Sequence, residues 1–201
     1  MFTGIIKEMG TIYQVNDLKY GCELVVDVSP SLYAEVGLKS NIALNGKALT
    51  VLDKVILDNK NFLKVNVYSS TKVKQYREGN KVNLERAIRL GEEIAVCVFS
   101  GVPSGICQLT SLKNYPEEIV HFQIKWDNFL FKYLDIKDVV YLDGVFLQIK
   151  NIKDDLLSFE LYPETIKKTN LGDRKIGDIL NIEIDPIIKK LAQILERKKL
   201  I

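Results

Sequence analysis

Residues able to bind or position a small molecule recur here in pairs, one member in each half of the chain. Thr50 is matched by Gln148, Asn66 by Glu160, Tyr68 by Tyr162, Thr71 by Thr165 and Gly4 by Gly101. Hydroxyl, amide and carboxylate groups can orient a polar molecule by hydrogen bonds, and a tyrosine can stack on a flat ring. Gly4 follows Thr3 and Gly101 follows Ser100, so backbone could approach a ligand closely at both places. Each residue type also has a plain structural use. A Thr or Asn can make an ordinary strand or turn hydrogen bond, a barrel tyrosine can be core, and a strand glycine can mark a bulge. Two like sets of groups in one chain suit a binding event or reaction that involves two similar molecules.

Other chemistry-bearing residues are sparse. His121 is the only histidine and lies in the apolar, strand-like run Val120 to Lys125, which favours a packed or solvent-edge role over catalysis. Cys22, Cys97 and Cys107 are odd in number and lack a paired metal-binding spacing, so they read as reduced thiols of a cytoplasmic protein. Trp126, beside Asp127-Asn128, reads as a packing residue at a strand end.

The elements that must position these groups are themselves repeated. Asn45-Gly46-Lys47-Ala48-Leu49-Thr50-Val51 returns as Asp143-Gly144-Val145-Phe146-Leu147-Gln148-Ile149, an offset of 98 residues. Met1-Phe2-Thr3-Gly4-Ile5 returns as Val98-Phe99-Ser100-Gly101-Val102, and Gly79 to Glu85 returns as Gly177 to Glu183. Blocks kept in one order at nearly one offset imply a duplicated unit of roughly 90 residues, well beyond solenoid repeats. Asn45-Gly46 and Asp143-Gly144 signal tight turns, because both residues of each pair tolerate positive φ. Apolar runs predict strands at 5–15, 23–28, 41–44, 49–52 and 62–67, and again at 106–109, 120–125, 139–142, 146–149 and 156–162. Short helices are predicted at 30–35 and 128–133, with 86–96 joining the halves. The pattern predicts an all-β chain of two tandem six-stranded antiparallel Greek-key barrels. The expected units are 1–96, 97–186 and a terminal helix at 187–201.

That helix has its own signals. Asp185 is a candidate N-cap and Pro186 suits the first helical position. Ile187, Leu191, Ile194 and Leu195 share one face, which either folds back onto the chain's own barrel or forms a seam between chains. The 28 basic and 26 acidic residues leave a formal charge of +2, which predicts no nucleic-acid or membrane-surface partner. The basic run Arg197-Lys198-Lys199 reads as a solvated helix end. Nothing approaches the ~20 apolar residues of a transmembrane helix, and no signal peptide is expected.

Several of these blocks together resemble riboflavin synthase of the alpha-chain type. They are Met1 to Ile5, Asn45-Gly46 with Leu49-Thr50-Val51, Val82 to Ala87, Asp143-Gly144, Pro163-Glu164-Thr165, and Thr169 to Asp173 through Asn181 to Pro186. The resemblance spans essentially the whole chain. It implies a cytoplasmic homotrimer joined by the C-terminal helix and a reaction in which two molecules of 6,7-dimethyl-8-ribityllumazine exchange a four-carbon unit. The products are riboflavin and a pyrimidine, and no metal or cofactor takes part. The family also includes lumazine proteins, which bind lumazine or flavin (riboflavin or FMN) without turnover.

The departures from the family pattern fall where chemistry is expected. Ala48 stands where the family has Cys, Cys97 and Val102 where it has two histidines, and Phe146 where it has Ser. Gln148 replaces a Thr, and the first half lacks the Thr-Asn-Leu-Gly-Asp segment kept at 169–173. The dismutation needs a base, a nucleophile and donors that orient two rings, and Ala48, Val102 and Phe146 supply none of these. The resemblance therefore implies a chain better equipped to bind than to catalyse. Its expected ligand-binding residues are Gly4, Ile5, Ile6, Ala48, Leu49, Thr50, Asn66, Tyr68 and Thr71 with Gly101, Val102, Lys137, Phe146, Gln148, Glu160, Tyr162 and Thr165. No residue is assigned a catalytic role, and Lys137 matches a family lysine near the site.

Overall fold

The computed structural model describes residues 1–68, 76–92, 94 and 98–198, so Thr71 and Cys97 lie outside the described residues. The first repeat contains β1 (Glu8–Leu18), β2 (Gly21–Val28), α1 (Pro30–Glu35), β3 (Asn41–Leu44), β4 (Lys47–Leu57), β5 (Lys60–Val67) and β6 (Lys81–Arg86). Its six strands close into a barrel in the order β1-β2-β5-β4-β3-β6, with Leu84 of β6 paired to Glu8 of β1. The β2–β3 and β5–β6 connections skip neighbours, the Greek-key arrangement that the repeat predicts. Alternation decides which side chains fill the barrel: Leu49 and Val51 point in while Thr50 and Leu52 are exposed. A bulge between Val51 and Asp53 bends β4 around the barrel.

The second repeat contains β7 (Gly105–Asn114), β8 (Val120–Lys125), β9 (Val139–Leu142), β10 (Val145–Gln148), β11 (Asn151–Lys153), β12 (Leu156–Leu161), α2 (Pro163–Lys168) and β13 (Ile179–Ile184). They form a curled seven-stranded sheet in the order β10-β9-β13-β7-β8-β12-β11. The extra strand comes from a break in the counterpart of β4. The two ends of the sheet, β10 and β11, are consecutive in the chain and separated only by Ile149 and Lys150. The break falls where β4 bulges, and the Ile149 N–H bond to Asp138 O (2.8 Å) repeats that of Val51 N–H to Ser40 O (2.9 Å).

The tight turns form as predicted. Asn45 and Gly46 have φ of 46° and 74°, and Asp143 and Gly144 have 46° and 81°. α1 begins where Ser29 accepts a hydrogen bond from Leu32 N. The helix expected at 128–133 is instead a 3-10 turn, Phe129–Tyr133, capped by Asn128. The short helix α2 was not expected. Strand β1 begins at Glu8 rather than at residue 5, leaving residues 1–7 outside the barrel's own strands apart from a bridge at Phe2.

The C-terminal helix α3 (Pro186–Arg197) is capped by Asp185, whose side chain accepts from Ile187 N at 2.6 Å. One face rests on the second barrel through buried Ala192 and half-buried Ile188. The other leaves Ile187, Leu191 and Ile194 exposed at 68, 54 and 37%. Ile187, Leu191 and Ile194 of the expected stripe therefore do not carry the fold-back contact, which is made by a different face of the helix. Among the described residues, no helix is long and apolar enough to cross a membrane.

The repeats meet across a pseudo-twofold relation. Phe2 and Phe99 pair through their backbones at 3.1 and 2.9 Å, and their side chains join Ala43 and Tyr141 in a separate buried cluster. Beside it lies a network of polar groups. Asn45 Oδ1 accepts from Asn83 N (2.8 Å) and Asp143 Oδ1 from Asn181 N (2.9 Å). Asn83 Nδ2 donates to Asp143 O at 3.0 Å, and Asn181 Nδ2 donates to Asn45 O at 2.9 Å. Each repeat thus satisfies the buried turn of the other, which is what burial of so many amides requires.

Candidate functional site

The segments leading into the two barrels cross over. Gly4 O accepts a hydrogen bond from Phe146 N of the second repeat at 3.0 Å. Gly101 O accepts one from Ala48 N of the first at 2.8 Å. Glycine is required at both places. Their φ values are 79° and 77°, and a Cβ on Gly101 would sit 2.7 Å from Ala48 Cβ. A Cβ on Gly4 would sit 2.9 Å from Phe146 Cβ.

Each arm is pinned by a buried carboxylate. Thr3 donates to Glu85 Oε1 from its amide (2.6 Å) and its hydroxyl (2.8 Å), and Gly4 N donates to Oε2 at 3.0 Å. Ser100 donates to Glu183 Oε1 from its amide (2.9 Å) and its hydroxyl (2.6 Å). The hydroxyls then accept from the following amides, Ile5 N to Thr3 Oγ1 and Val102 N to Ser100 Oγ, both at 3.2 Å. Burial pushes the carboxyls of Glu85 and Glu183 above the ordinary glutamate range, and the donors of the arms pull the other way.

These contacts assemble an outer face on the first barrel. Ala48 and Thr50 present from β4, Asn66 from β5 with Tyr68 just beyond it, and Val102 from the crossed arm. Asn66 Nδ2 donates to Tyr68 Oη at 3.1 Å, while Asn66 Oδ1 is buried and without a partner among the described residues. Thr50 Oγ1 makes only a long contact of 3.5 Å with Asn41 Oδ1. Thr50 Oγ1 is exposed, so a ligand carrying a hydroxyl or N–H donor could bond it.

Residues 3–87 and 100–185 each match the model for the lumazine binding domain. The chain belongs to the lumazine-binding domain family. Riboflavin synthase of Bacillus subtilis (strain 168) is 33% identical over 201 residues, 98% of this chain and 91% of that one. Riboflavin synthase of Actinobacillus pleuropneumoniae is 32% identical over 206 aligned positions, again 98% of this chain and 91% of its own. Among solved structures, LumP complexed with riboflavin superposes with a TM-score of 0.79 at 22% identity, covering 92% of this chain and all of that one. LumP complexed with 6,7-dimethyl-8-(1'-D-ribityl) lumazine gives 0.75 at 21%, covering 92% of this chain and 99% of that one.

The second lumazine-binding domain presents a related face with reversed polarity. Phe146 and Gln148 come from β10, Glu160 from β12, and Ile5 from the crossed arm. Tyr162 Oη donates to Glu160 Oε2 at 3.1 Å, the counterpart of the Asn66–Tyr68 contact with donor and acceptor exchanged. Lys150 sits 3.2 Å from Glu160 and holds its carboxyl below the usual glutamate range, with His121 3.7 Å away on the other oxygen. His121 stacks on Tyr115 with centroids 4.1 Å apart, so it is a solvent-edge residue of this cluster. In the second face Glu160 is thus paired with a lysine, whereas in the first the corresponding Asn66 is uncharged and, among the described residues, its Oδ1 has no partner.

Not every expected ligand residue points to a face. Leu49 is buried in the first core, and Ile6 packs against the second. Lys137 is exposed and occupies a left-handed turn with φ of 80°, its N–H bonded to Ile149 O at 2.9 Å. Lys39 repeats that geometry with φ of 62°, which gives Lys137 a turn-forming role. Thr165 is half-buried in α2, its carbonyl bonded to Thr169. Cys22 and Cys107 are free and buried, and burial raises both thiols. Sequence reasoning overlooked Glu85 and Glu183, although a glutamate kept at matching places in two apolar strands was a visible signal.

Proposed function

We propose that this chain is a lumazine- or flavin-binding protein on the riboflavin synthase scaffold, with weak or no synthase activity. The observation that carries this reading is the make-up of the first face. Among the described residues Thr50 and Asn66 keep weakly engaged polar groups there and Tyr68 is exposed beside them, while Ala48 and Val102 supply neither base nor nucleophile. A ribityl chain brings hydroxyls that must regain hydrogen bonds once removed from water, and the first face offers partners for them. Phe146 and the paired charges of Glu160 and Lys150 leave the second face less open. LumP, similar in fold, has been solved with lumazine, riboflavin and flavin mononucleotide. In this reading 1–96 and 97–186 are the two binding units, and 187–201 joins chains into a cytoplasmic homotrimer through the exposed stripe of α3.

The identity of about a third to enzymes named riboflavin synthase favours a second reading, a divergent synthase that works by approximating two intrinsically reactive rings. Incubation of the purified protein with 6,7-dimethyl-8-ribityllumazine, following both ligand fluorescence and riboflavin formation, separates the two. Binding without product supports the binding protein. Riboflavin formed at about 1 per second or faster, an ordinary enzymatic rate, overturns it. Neither binding nor product means that the faces no longer accept this ligand.

A further inference from the structure

The carboxylates of Glu85 and Glu183 are absent from any ligand-facing surface, yet each controls a strip of backbone that edges one. Glu183 belongs to β13 of the second repeat. It receives the amide and hydroxyl of Ser100, and the same hydroxyl accepts from Val102 N. Residues 100–102 are held on that side by Glu183, and on the other by the Gly101 O to Ala48 N bond of the first barrel. The position of Val102, one residue beyond the Gly101–Ala48 bond, is therefore set by a residue of the opposite repeat. The second face has the same wiring in reverse. Glu85, of β6 in the first repeat, holds Thr3 and Gly4, and Gly4 O accepts from Phe146 N of the second barrel.

We propose that Glu85 and Glu183 are crossed positioning residues: Glu183 sets the ligand-facing arm of the first barrel, and Glu85 that of the second. A carboxylate suits this place because the arm turns several donors toward one point. Glu85 accepts an amide, a hydroxyl and a second amide on its two oxygens, whereas Glu183 takes the amide and hydroxyl of Ser100 on Oε1 and its buried Oε2 faces the arm without a hydrogen-bond partner among the described residues. A glutamine of the same shape keeps one such oxygen and turns an NH2 toward the next N–H of the arm, so the arm loosens while the strand core is undisturbed. The arm already lies close to its neighbours, since a Cβ on Gly101 would meet Ala48 Cβ at 2.7 Å and the Phe2 ring at 2.9 Å.

The affinity part of this inference rests on the binding function proposed above, whereas the wiring does not, so the test has two arms. Amide hydrogen exchange followed by NMR reads the wiring directly. In Glu183→Gln the Ala48 amide should lose about tenfold or more of its protection relative to core strand amides while Phe146 is little changed. Glu85→Gln should give the reverse. Loss of protection at the amide of the wrong barrel, or equal loss at both, overturns the proposal. Should either glutamine variant fail to fold, Ser100→Ala and Thr3→Ala remove one donor from each arm and carry the same crossed expectation.

The second arm titrates 6,7-dimethyl-8-ribityllumazine by fluorescence. Glu183→Gln should raise the Kd about tenfold more than Glu85→Gln does, although both exchange a buried carboxylate for an amide of the same shape. A residue acting only on stability would shift the two alike. Crossed exchange with equal affinities would refute positioning of the ligand face. An unmodified protein that binds no lumazine would instead sink the binding function, leaving the exchange pattern to decide the wiring.

Discussion

Gly46 and Gly144 meet backbone to backbone at the centre of the molecule. A Cβ on Gly46 would lie 2.6 Å from Gly144 N, and a Cβ on Gly144 would lie 2.8 Å from Gly46 N. Each glycine is therefore demanded twice, once by its own positive φ and once by the turn of the other repeat. The contact is what allows Asn83 and Asn181 to reach across and satisfy the opposite turn.

This double demand is separable by mutation. Gly79 has φ of 81° but nothing within 4 Å of where its Cβ would be. Gly79→Ala should cost about 1–2 kcal/mol, the strain of a left-handed alanine alone. Gly46→Ala should cost about 3 kcal/mol or more, because backbone in the opposing turn must also move. Urea denaturation of the two variants measures the difference, and equal losses would mean that the turns do not press on one another.

Ligand binding should centre on the first face. Thr50→Val should weaken 6,7-dimethyl-8-ribityllumazine binding by about 1–3 kcal/mol by leaving a ribityl hydroxyl unpaired. Phe146→Ser should raise the stoichiometry by opening the second face, at some cost in stability because Phe146 packs edge-on to Tyr141 at 6.0 Å. It should not restore rapid turnover, since Ala48 and Val102 are unchanged. Isothermal titration reads both effects, and a Thr50→Val protein of undiminished affinity would move the site elsewhere.

The exposed stripe on α3 predicts a concentration-independent change of mass. If the chain assembles through this stripe as proposed, Leu191→Lys with Ile194→Lys should convert the trimer to monomers, because charge would enter two exposed apolar positions that the seam would bury. Sedimentation of the wild type and the double variant tests this, and equal masses would count against the seam. Neither substitution touches Ala192, through which the helix rests on its own barrel.

Stability should also depend on pH through the two arm carboxylates. Burial raises the folded-state pKa of Glu85 and Glu183 above the ordinary value of 4.5, so the folded chain holds these protons more tightly than the unfolded one. The linked stabilisation is fully present below the ordinary range and is lost as pH rises through the raised values. Compared with Glu85→Gln/Glu183→Gln, the wild type should lose relative stability on going from pH about 4 towards neutrality. Denaturation curves across that range check the sign.

Local chemistry explains what could be read in advance. Asn45-Gly46, Asp143-Gly144 and Asp185-Pro186 each act within a few residues, and the turns and helix they signal are present. The duplicated blocks reveal two like units because strand alternation and turn chemistry are repeated with them. What escaped were features decided between distant residues. The crossed arms depend on Gly4 meeting Phe146 and Gly101 meeting Ala48, and the break of β10 from β11 depends on curvature around a barrel. The inward direction of Leu49 follows from alternation, yet its place in a family motif drew it into the expected site. Glu160 is a binding group in the sequence reading, but its pairing with Lys150 and His121 needs β8, β12 and the short link between β10 and β11 to come together.

The crossed arms also bear on the order in which the molecule can be made. During synthesis the six strands of the first barrel are available once Arg86 has been added, but Ala48 then still lacks the carbonyl of Gly101. Ser100 in turn waits for Glu183, 83 residues later. Completion of the first barrel is thus deferred until β13, the last of the described strands, has been made, a long-range dependence of the kind that slows folding. A nascent chain halted anywhere before residue 183 would display an unfinished edge on its first barrel.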